Sequence, residues 1–579
     1  MKKLMNQAED LVMEMCHGLV LAHPELQLNE KYKVISRRNR KENKVSLISG
    51  GGSGHEPAHA GFVGTGMLDA AVCGDIFASP SQIQVYQSIK QVATEQGVLM
   101  IIKNYSGDMM NFKNGAALAE EDGILVDYVK VDDDIAVEDS LYTVGRRGVA
   151  GTIFVHKIAG AAAELGLNLA NVKKIAEKAA AQIRSIGFAL TSCTVPAKGT
   201  PTFTLAEEEM EYGVGIHGEP GIRREKTMSA DALAERMVND LLRDLGEVSE
   251  AAVLVNGFGS TPLQELYVFN NSVIRTLVER GVHVHRIFVG NYMTSIDMAG
   301  ASLSLLKMDD ELKQFLDSPA STPAFKVDGE AAAIQIIQSK KTTGMAEPSF
   351  KVETDKQFAN IKDGQFTLDN LHYYIDKMSE VIIENEVPFC ELDAHAGDGD
   401  FGMSIAKGFK QLKREWSELT RATSMSAFLS NCSMIIMEHC GGASGPIWGS
   451  AFRAAGKAVE GKEALTVTDF AAMLEAAVQG IQTIGERSFG RGAVVGDKTL
   501  IDALVPCTMA WRDAAIEGAT FAESFTRGAE AAVQGAEATK QIVARMGRAG
   551  TVGERSLGYP DAGAYGLGVI FTALANDAK

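Results

Sequence analysis

The sequence predicts an α/β region followed by a separate all-α domain, and three observations carry that reading. Residues 1 to about 325 alternate apolar, β-branched runs with amphipathic helical stretches. From Thr367 onward alanine-rich helical segments replace almost every strand-like run, and a Ser/Thr/Pro cluster at Ser318–Pro323 separates the two regimes. Alternating strand and helix implies a mostly parallel sheet. The expected organisation is a first domain over 1–325, a linker over 326–365 with at most one helix, and a helical domain over 366–579.

Composition narrows the class. The 579 residues are 46% hydrophobic and 22% charged, ordinary for a globular chain with room for more than one core. A net charge of −18 argues against a nucleic-acid partner or an anionic membrane surface. Seven cysteines, an odd number without C-x-x-C spacing, fit free thiols in a reducing compartment. No apolar run reaches the ~18 residues of a spanning helix, and the N-terminus lacks a signal-peptide core. A cytoplasmic protein is expected.

In chain order, Val45–Ile48 reads as a buried strand running into Ser49-Gly50-Gly51-Gly52-Ser53-Gly54-His55-Glu56-Pro57. Glycines let the main chain approach a small ligand closely, and Pro57 suits the first turn of a following helix. His55-Glu56-Pro57-Ala58-His59 also matches the zinc-peptidase pattern His-Glu-x-x-His, which needs both imidazoles on one continuous helix. Glycines before His55 and a proline between the histidines argue against it. Strands are expected at Val98–Lys103, Ile124–Val131, Ala251–Val255 and Val282–Val289, and helices at Gln84–Gln96, Gly151–Leu165 and Val172–Ile186.

Two further stretches place chemistry beyond strands. Lys103-Asn104-Tyr105-Ser106-Gly107-Asp108 sets a cation and a carboxylate where a general base for a hydroxyl could sit. Tyr212–Gly221 surrounds His217 with glycines, an unusual setting for a core histidine. His283 and His285, two apart in a strand, share a face and need no role.

The second half reads as about eight helices, Asn370–Glu386, Ser404–Lys413, Met425–Glu438, Ser450–Val459, Phe470–Ser488, Lys498–Ala515, Phe521–Arg545 and Ala564–Asp577. Leu392–Gly402 brings Asp393, Asp398 and Asp400 together. Three close carboxylates repel one another unless a cation lies between them, so a hard divalent metal is the natural reading. Gly441–Pro446 offers backbone N–H groups at a helix start, a standard anion site. Gly496–Thr499 and the Gly547–Ser556 stretch supply positive charge, and no Walker-type loop occurs.

Ser49–Pro57, Ala60–Met67, Lys103–Asp108, Ser140–Val149 and Gly213–Gly221 closely resemble the substrate-binding domain of dihydroxyacetone kinases, over nearly all of 1–325. The resemblance implies two α/β lobes and a ketose held as a hemiaminal on His217. It implies Asp108 as base on the terminal hydroxyl and His55 as a hydrogen-bonding, proton-transfer partner. Gly52, Ser53, Gly54 and Lys103 fall on the other substrate contacts. A neutral imidazole near its ordinary pKa of about 6.5 is a competent nucleophile at neutral pH. A carbonyl can form that adduct and glycerol cannot.

The second half is similar to the nucleotide-binding domain of the same kinases, an eight-helix barrel holding ATP through Mg²⁺. Asp393, Asp398 and Asp400 fall on its metal ligands. Gly402, Met403, Ser404, Ala443, Ser444, Gly492, Thr499, Leu500, Arg548, Asp561 and Gly563 fall on or beside its nucleotide contacts. Phe401 stands where many members have His or Thr, and Asp561-Ala562-Gly563 replaces Asp-Pro-Gly. Fusion of both domains implies exchangeable Mg-ATP rather than a phosphoprotein relay, and the family implies a homodimer through the first domain. The expected reaction is phosphorylation of dihydroxyacetone. The alternatives are an erythrulose kinase, an FAD-AMP lyase (cyclising) activity, and a non-catalytic ketose-binding regulator.

Overall fold

The computed structural model describes residues 2–137, 145–219, 221–335, 350–546, 550 and 553–578, and the chain divides into two units, Met1–Ser339 and Lys340–Lys579. The first unit carries two six-stranded sheets. Strands β1 (Leu26–Asn29), β2 (Val34–Arg37), β3 (Ser46–Ser53), β4 (Ala70–Ile76), β5 (Val98–Lys103) and β6 (Val126–Val131) form one, in the order β1-β2-β4-β3-β5-β6. Strands β7 (Ile183–Ala189), β8 (Glu209–Tyr212), β9 (Arg223–Lys226), β10 (Glu250–Gly257), β11 (His283–Gly290) and β12 (Gly300–Lys307) form the other, in the order β11-β10-β12-β7-β8-β9.

The expectation of a mostly parallel sheet needs correction, because both sheets are mixed. Strands β4, β3, β5 and β6 run parallel to their neighbours, while β1, β2 and β4 pair antiparallel. In the second sheet β10 and β11 are parallel and every other pair is antiparallel. Short connections such as Glu30–Lys33 can join only antiparallel neighbours, whereas a parallel pair needs a crossover. The helix expected over Val172–Ile186 is Leu169–Ala181, and the rest belongs to β7, whose ladder with β12 overrides helical periodicity.

The glycine run is also used differently from expectation. Gly50, Gly51 and Gly52 lie inside β3, where all eight residues are buried. A Cβ at Gly52 would sit 2.6 Å from the Ala78 amide nitrogen, and one at Gly50 would strike the Val72 carbonyl of β4. No α-helix starts at Pro57. Turns lead instead to a short 3-10 helix at Ala60–Phe62. The Glu56 carbonyl, which the first turn of such a helix would use, accepts instead from Thr294 Oγ1 at 2.8 Å.

The second unit is helical. Its long helices are Leu368–Glu384, Phe401–Arg414, Met425–His439, Ser444–Ala458, Val467–Phe489, Ile501–Glu517, Phe521–Ala538 and Ala562–Asp577. Each packs on the next, and the last packs on the first. Two short helices, Glu386–Asp393 and Trp416–Leu419, add to the expected eight. Alternate helices begin differently. Those starting after Thr367, Ser424, Thr466 and Thr520 are capped by the side chain of that residue. Those starting after Asp400, Ala443 and Leu500 have no side-chain cap. Among the described residues no helix is long and apolar enough to cross a membrane.

Candidate functional site

Two clusters of polar side chains stand out, one in each unit. In the first unit, β3 delivers Gly51–Ser53, the end of β5 delivers Lys103, and the helix Ser106–Glu121 delivers Asp108 from its first turn. Asp108 is buried, accepting from Ser79 Oγ at 2.5 Å and pairing with Lys103 Nζ at 3.1 Å. Lys103 Nζ also reaches the Gly50 carbonyl at 3.5 Å. A Cβ at Gly51 would collide with that ammonium, so glycine is needed for the close approach.

His217 lies against this cluster. Its imidazole meets the rings of His55 and Tyr105 edge-on, each at 4.7 Å, and that of Phe77 at 5.1 Å. Its Nδ1 lies 3.0 Å from Glu219 Oε1, and its amide donates to Glu219 Oε2 at 2.9 Å. Burial pushes the Glu219 carboxyl up, but the adjacent His217 and the Arg147 guanidinium outweigh it and hold the group at about 2.

His55 is fully buried, with Nδ1 2.8 Å from the Thr294 carbonyl. A carbonyl only accepts, so Nδ1 carries the proton and Nε2 the lone pair. Burial, followed by the charges of His217 and Lys103, pushes His55 well below the usual imidazole range. His55 Nε2 and Tyr105 Oη are buried with no partner among the described residues. Such orphans are rare and costly, which marks this as a place built to meet a polar ligand. Ser53, by contrast, donates to the Gly74 carbonyl at 2.7 Å.

The His-Glu-x-x-His pattern forms no metal pair. His59 Nδ1 lies 2.9 Å from His156 Nε2, on a segment of turns rather than a helix. His283 and His285 each pair with Glu250, at 3.0 and 3.6 Å. Sequence reasoning gave Ser79 and Glu219 no role. The His-x-Glu spacing was the signal for Glu219, while nothing local marked Ser79.

In the second unit, Asp393, Asp398 and Asp400 bring carboxylate oxygens within 4.8 Å of one another. They line a cleft of about 200 Å³ together with Ser404, Ala443, Ser444, Thr499, Leu500, Asp561 and Gly563. Asp393 Oδ2 ties the loop by accepting from Gly399 N, Asp400 N and Phe401 N at 3.0, 3.1 and 3.3 Å. The three helices without side-chain caps begin here, as does Ala562–Asp577, so four positive helix ends meet the cleft. Asp561 caps the last by accepting from Ala564 N at 2.8 Å, and burial pushes its carboxyl up to about 7.

Gly402, Met403 and Gly492 lie outside this lining. A Cβ at Gly402 would strike the Glu386 carbonyl, so its place is a helix contact, and Met403 is exposed. Arg548 and part of Ser140–Val149 lie outside the described residues. Lys498 lines the cleft, but its ammonium donates to the carbonyls of Ser556 and Tyr559.

Comparison with known proteins places both clusters in context. The Dak1 domain matches residues 17–324 and the DAK2 domain residues 395–576. The dihydroxyacetone-binding subunit DhaK of a PTS-dependent dihydroxyacetone kinase of Listeria innocua is 52% identical, covering 54% of this chain and 95% of that protein. A D-erythrulose kinase of Mycolicibacterium smegmatis is 34% identical over 100% of this chain and 98% of that one. The crystal structure of the C. freundii dihydroxyacetone kinase with AMP-PNP and Mg²⁺ aligns at a TM-score of 0.60, with 30% identity and 99% of each chain covered.

Proposed function

The chain belongs to the dihydroxyacetone kinase family, with Dak1 and DAK2 domains in one polypeptide, and on that premise we propose that it transfers the γ-phosphate of ATP to a terminal hydroxyl of a short ketose. The observation that carries the reading is the meeting of His217 with orphaned, buried His55 Nε2 beside the Lys103–Asp108 pair. The His217 imidazole adds to the ketone carbonyl, which selects ketoses over polyols and fixes the substrate for transfer. His55 Nε2 accepts a hydrogen bond from a substrate hydroxyl. Asp108, oriented by Ser79 and Lys103, takes the proton of the terminal hydroxyl as it attacks phosphorus.

The second cleft fits the other substrate. An all-carboxylate donor set suits Mg²⁺, which when bound neutralises phosphate charge. The helices that begin at Phe401, Ser444 and Ile501 turn their positive N-terminal ends to the phosphates. The ring of helix contacts supports a closed eight-helix barrel. A cytoplasmic location fits the seven free cysteines, most of them buried. A homodimer belongs to the same reading, and light scattering on the full chain tests it.

Dihydroxyacetone is the proposed substrate. Its support is the 52% identity of the first unit to a dihydroxyacetone-binding subunit. A coupled ADP-release assay over dihydroxyacetone, both erythrulose enantiomers and glycerol tests this. The expected order puts dihydroxyacetone first and glycerol near background. Preference for an erythrulose would reassign the substrate, and no turnover on any ketose would overturn the kinase reading.

A further inference from the structure

We infer that Glu219 is a positioning residue for the covalent step: it holds His217 in the tautomer with the proton on Nδ1, so that Nε2 carries the lone pair that attacks the ketose. The inference rests on the reading of His217 as nucleophile and adds which nitrogen acts and what selects it. A carboxylate only accepts, so the 3.0 Å contact between Glu219 Oε1 and Nδ1 requires the proton to be on Nδ1. The second oxygen takes the His217 amide at 2.9 Å, so one carboxylate clamps ring and backbone together. Three rings edge-on to the imidazole fix its plane.

Behind Glu219 stands a second buried pair. Arg147 donates from Nε to Asp134 Oδ2 at 2.8 Å and from Nη2 to the Gly213 carbonyl at 2.9 Å, and its guanidinium favours an ionised Glu219. A side chain at Gly215 would strike the Glu219 carboxylate and lie 2.7 Å from Arg147, so glycine there lets the two approach. Asp134, Arg147, Glu219 and His217 thus form a chain of alternating charge ending at the nucleophile.

The Nε2 lone pair forms the C–N bond, the carbonyl π pair moves to oxygen, and that oxygen takes a proton from solvent water. The ring is left as an imidazolium whose Nδ1–H remains bonded to Glu219, so the carboxylate neutralises the charge that addition creates. An orienting carboxylate does the same for the histidine of a serine-protease triad. When phosphorylated product leaves, the C–N bond breaks, its electron pair returns to Nε2, and the carbonyl reforms with loss of the hydroxyl proton to water.

The test uses full-length protein labelled with ¹⁵N-histidine, with H217A identifying the His217 signals. Wild-type His217 should show a protonated Nδ1 and a bare Nε2 before ketose is added. In E219Q the amide can donate to Nδ1, so the tautomer should shift toward Nε2–H. Adduct formed with [2-¹³C]dihydroxyacetone, read as loss of the carbonyl signal, should weaken at least ~10-fold. Turnover should fall roughly 10²–10⁴-fold. Unchanged signals from the other histidines show that E219Q is folded; if it is not, the wild-type tautomer alone decides. Wild-type His217 protonated at Nε2, or E219Q with unaltered tautomer and adduct, overturns the role of Glu219. Adduct surviving in H217A overturns the nucleophile reading instead.

Discussion

The two polar clusters are built by different means. In the first unit side chains do the positioning: three rings enclose His217, Ser79 and Lys103 hold Asp108, and Glu219 clamps both ring and amide. In the second, backbone does most of it, through helix starts without side-chain caps and a loop folded around Asp393. A side-chain site can discriminate between small molecules of nearly the same size. A backbone site recognises charge, and polyphosphate chemistry asks for little more. The proposed labour is divided accordingly, with selectivity in the first unit and charge neutralisation in the second.

The largest effect should come from separating the two. ATP phosphates and the carboxylates of Asp393, Asp398 and Asp400 repel one another strongly as water is excluded. EDTA should therefore abolish phosphorylation, and D398A or D400A should nearly do so. The ketose adduct on His217 should survive both treatments, because its groups all lie in the first unit. Asp393→Ala is the less clean probe, since Asp393 also holds three backbone N–H groups of its loop. Turnover persisting in EDTA, or an adduct lost from D398A, would end the division.

Asp108→Asn comes next. The amide preserves the contact from Ser79 and much of the packing but cannot take the hydroxyl proton. Ketose binding should persist while kcat falls roughly 10²–10⁴-fold. Near-normal kcat would show that Asp108 positions rather than accepts. A matched loss of binding would point to its partner Lys103.

The same contrast explains what was legible in the sequence. Helices of the second unit announce themselves by periodicity, and the Asp393–Asp400 cluster by density of charge. The motif around His217 is legible by its density of glycines, of which Gly213, Gly215 and Gly218 leave room for the side chains of Ile222, Glu219 and Thr202. Contacts between distant segments were not legible. Ser79 meets Asp108 across 29 positions, and His55 is tied to Thr294 across 239. Neither leaves a local signal. Strand β9, Arg-Arg-Glu-Lys, lacks the apolar content that marks a strand, since it is the edge of its sheet. The glycine run has the composition of a turn, whereas Gly50, Gly51 and Gly52 lie in β3 and make room for Val72, Lys103 and Ala78.

The smallest predicted effect tests the electrostatic side of the comparison. Glu219 and Asp561 are both enclosed carboxyls, held in opposite directions. Glu219 is kept at about 2 by His217 and Arg147, against the pull of burial. Asp561 is pushed to about 7 by burial, with Asp502 and Asp393 adding to the shift and Lys498 opposing it. Unfolded, Asp561 would lose its proton near 3.8, so between about pH 4 and 7 the native state binds more protons. Stability therefore falls as pH rises through that window, and the full penalty is present above pH 7. Asp561→Asn keeps an acceptor for Ala564 N and removes the charge. With EDTA and no nucleotide, the variant should match wild type near pH 3.5 and exceed it by about 1–2 kcal/mol at pH 8, allowing for water at the cleft. Tryptophan fluorescence during urea unfolding reads this out for the second unit alone, because all three tryptophans, Trp416, Trp448 and Trp511, lie there. An equal gain at both pH values would mean that packing, not charge, sets the difference. No gain at pH 8 would mean that Asp561 is ionised in the native state at no cost, with the four helix ends and Lys498 already balancing it.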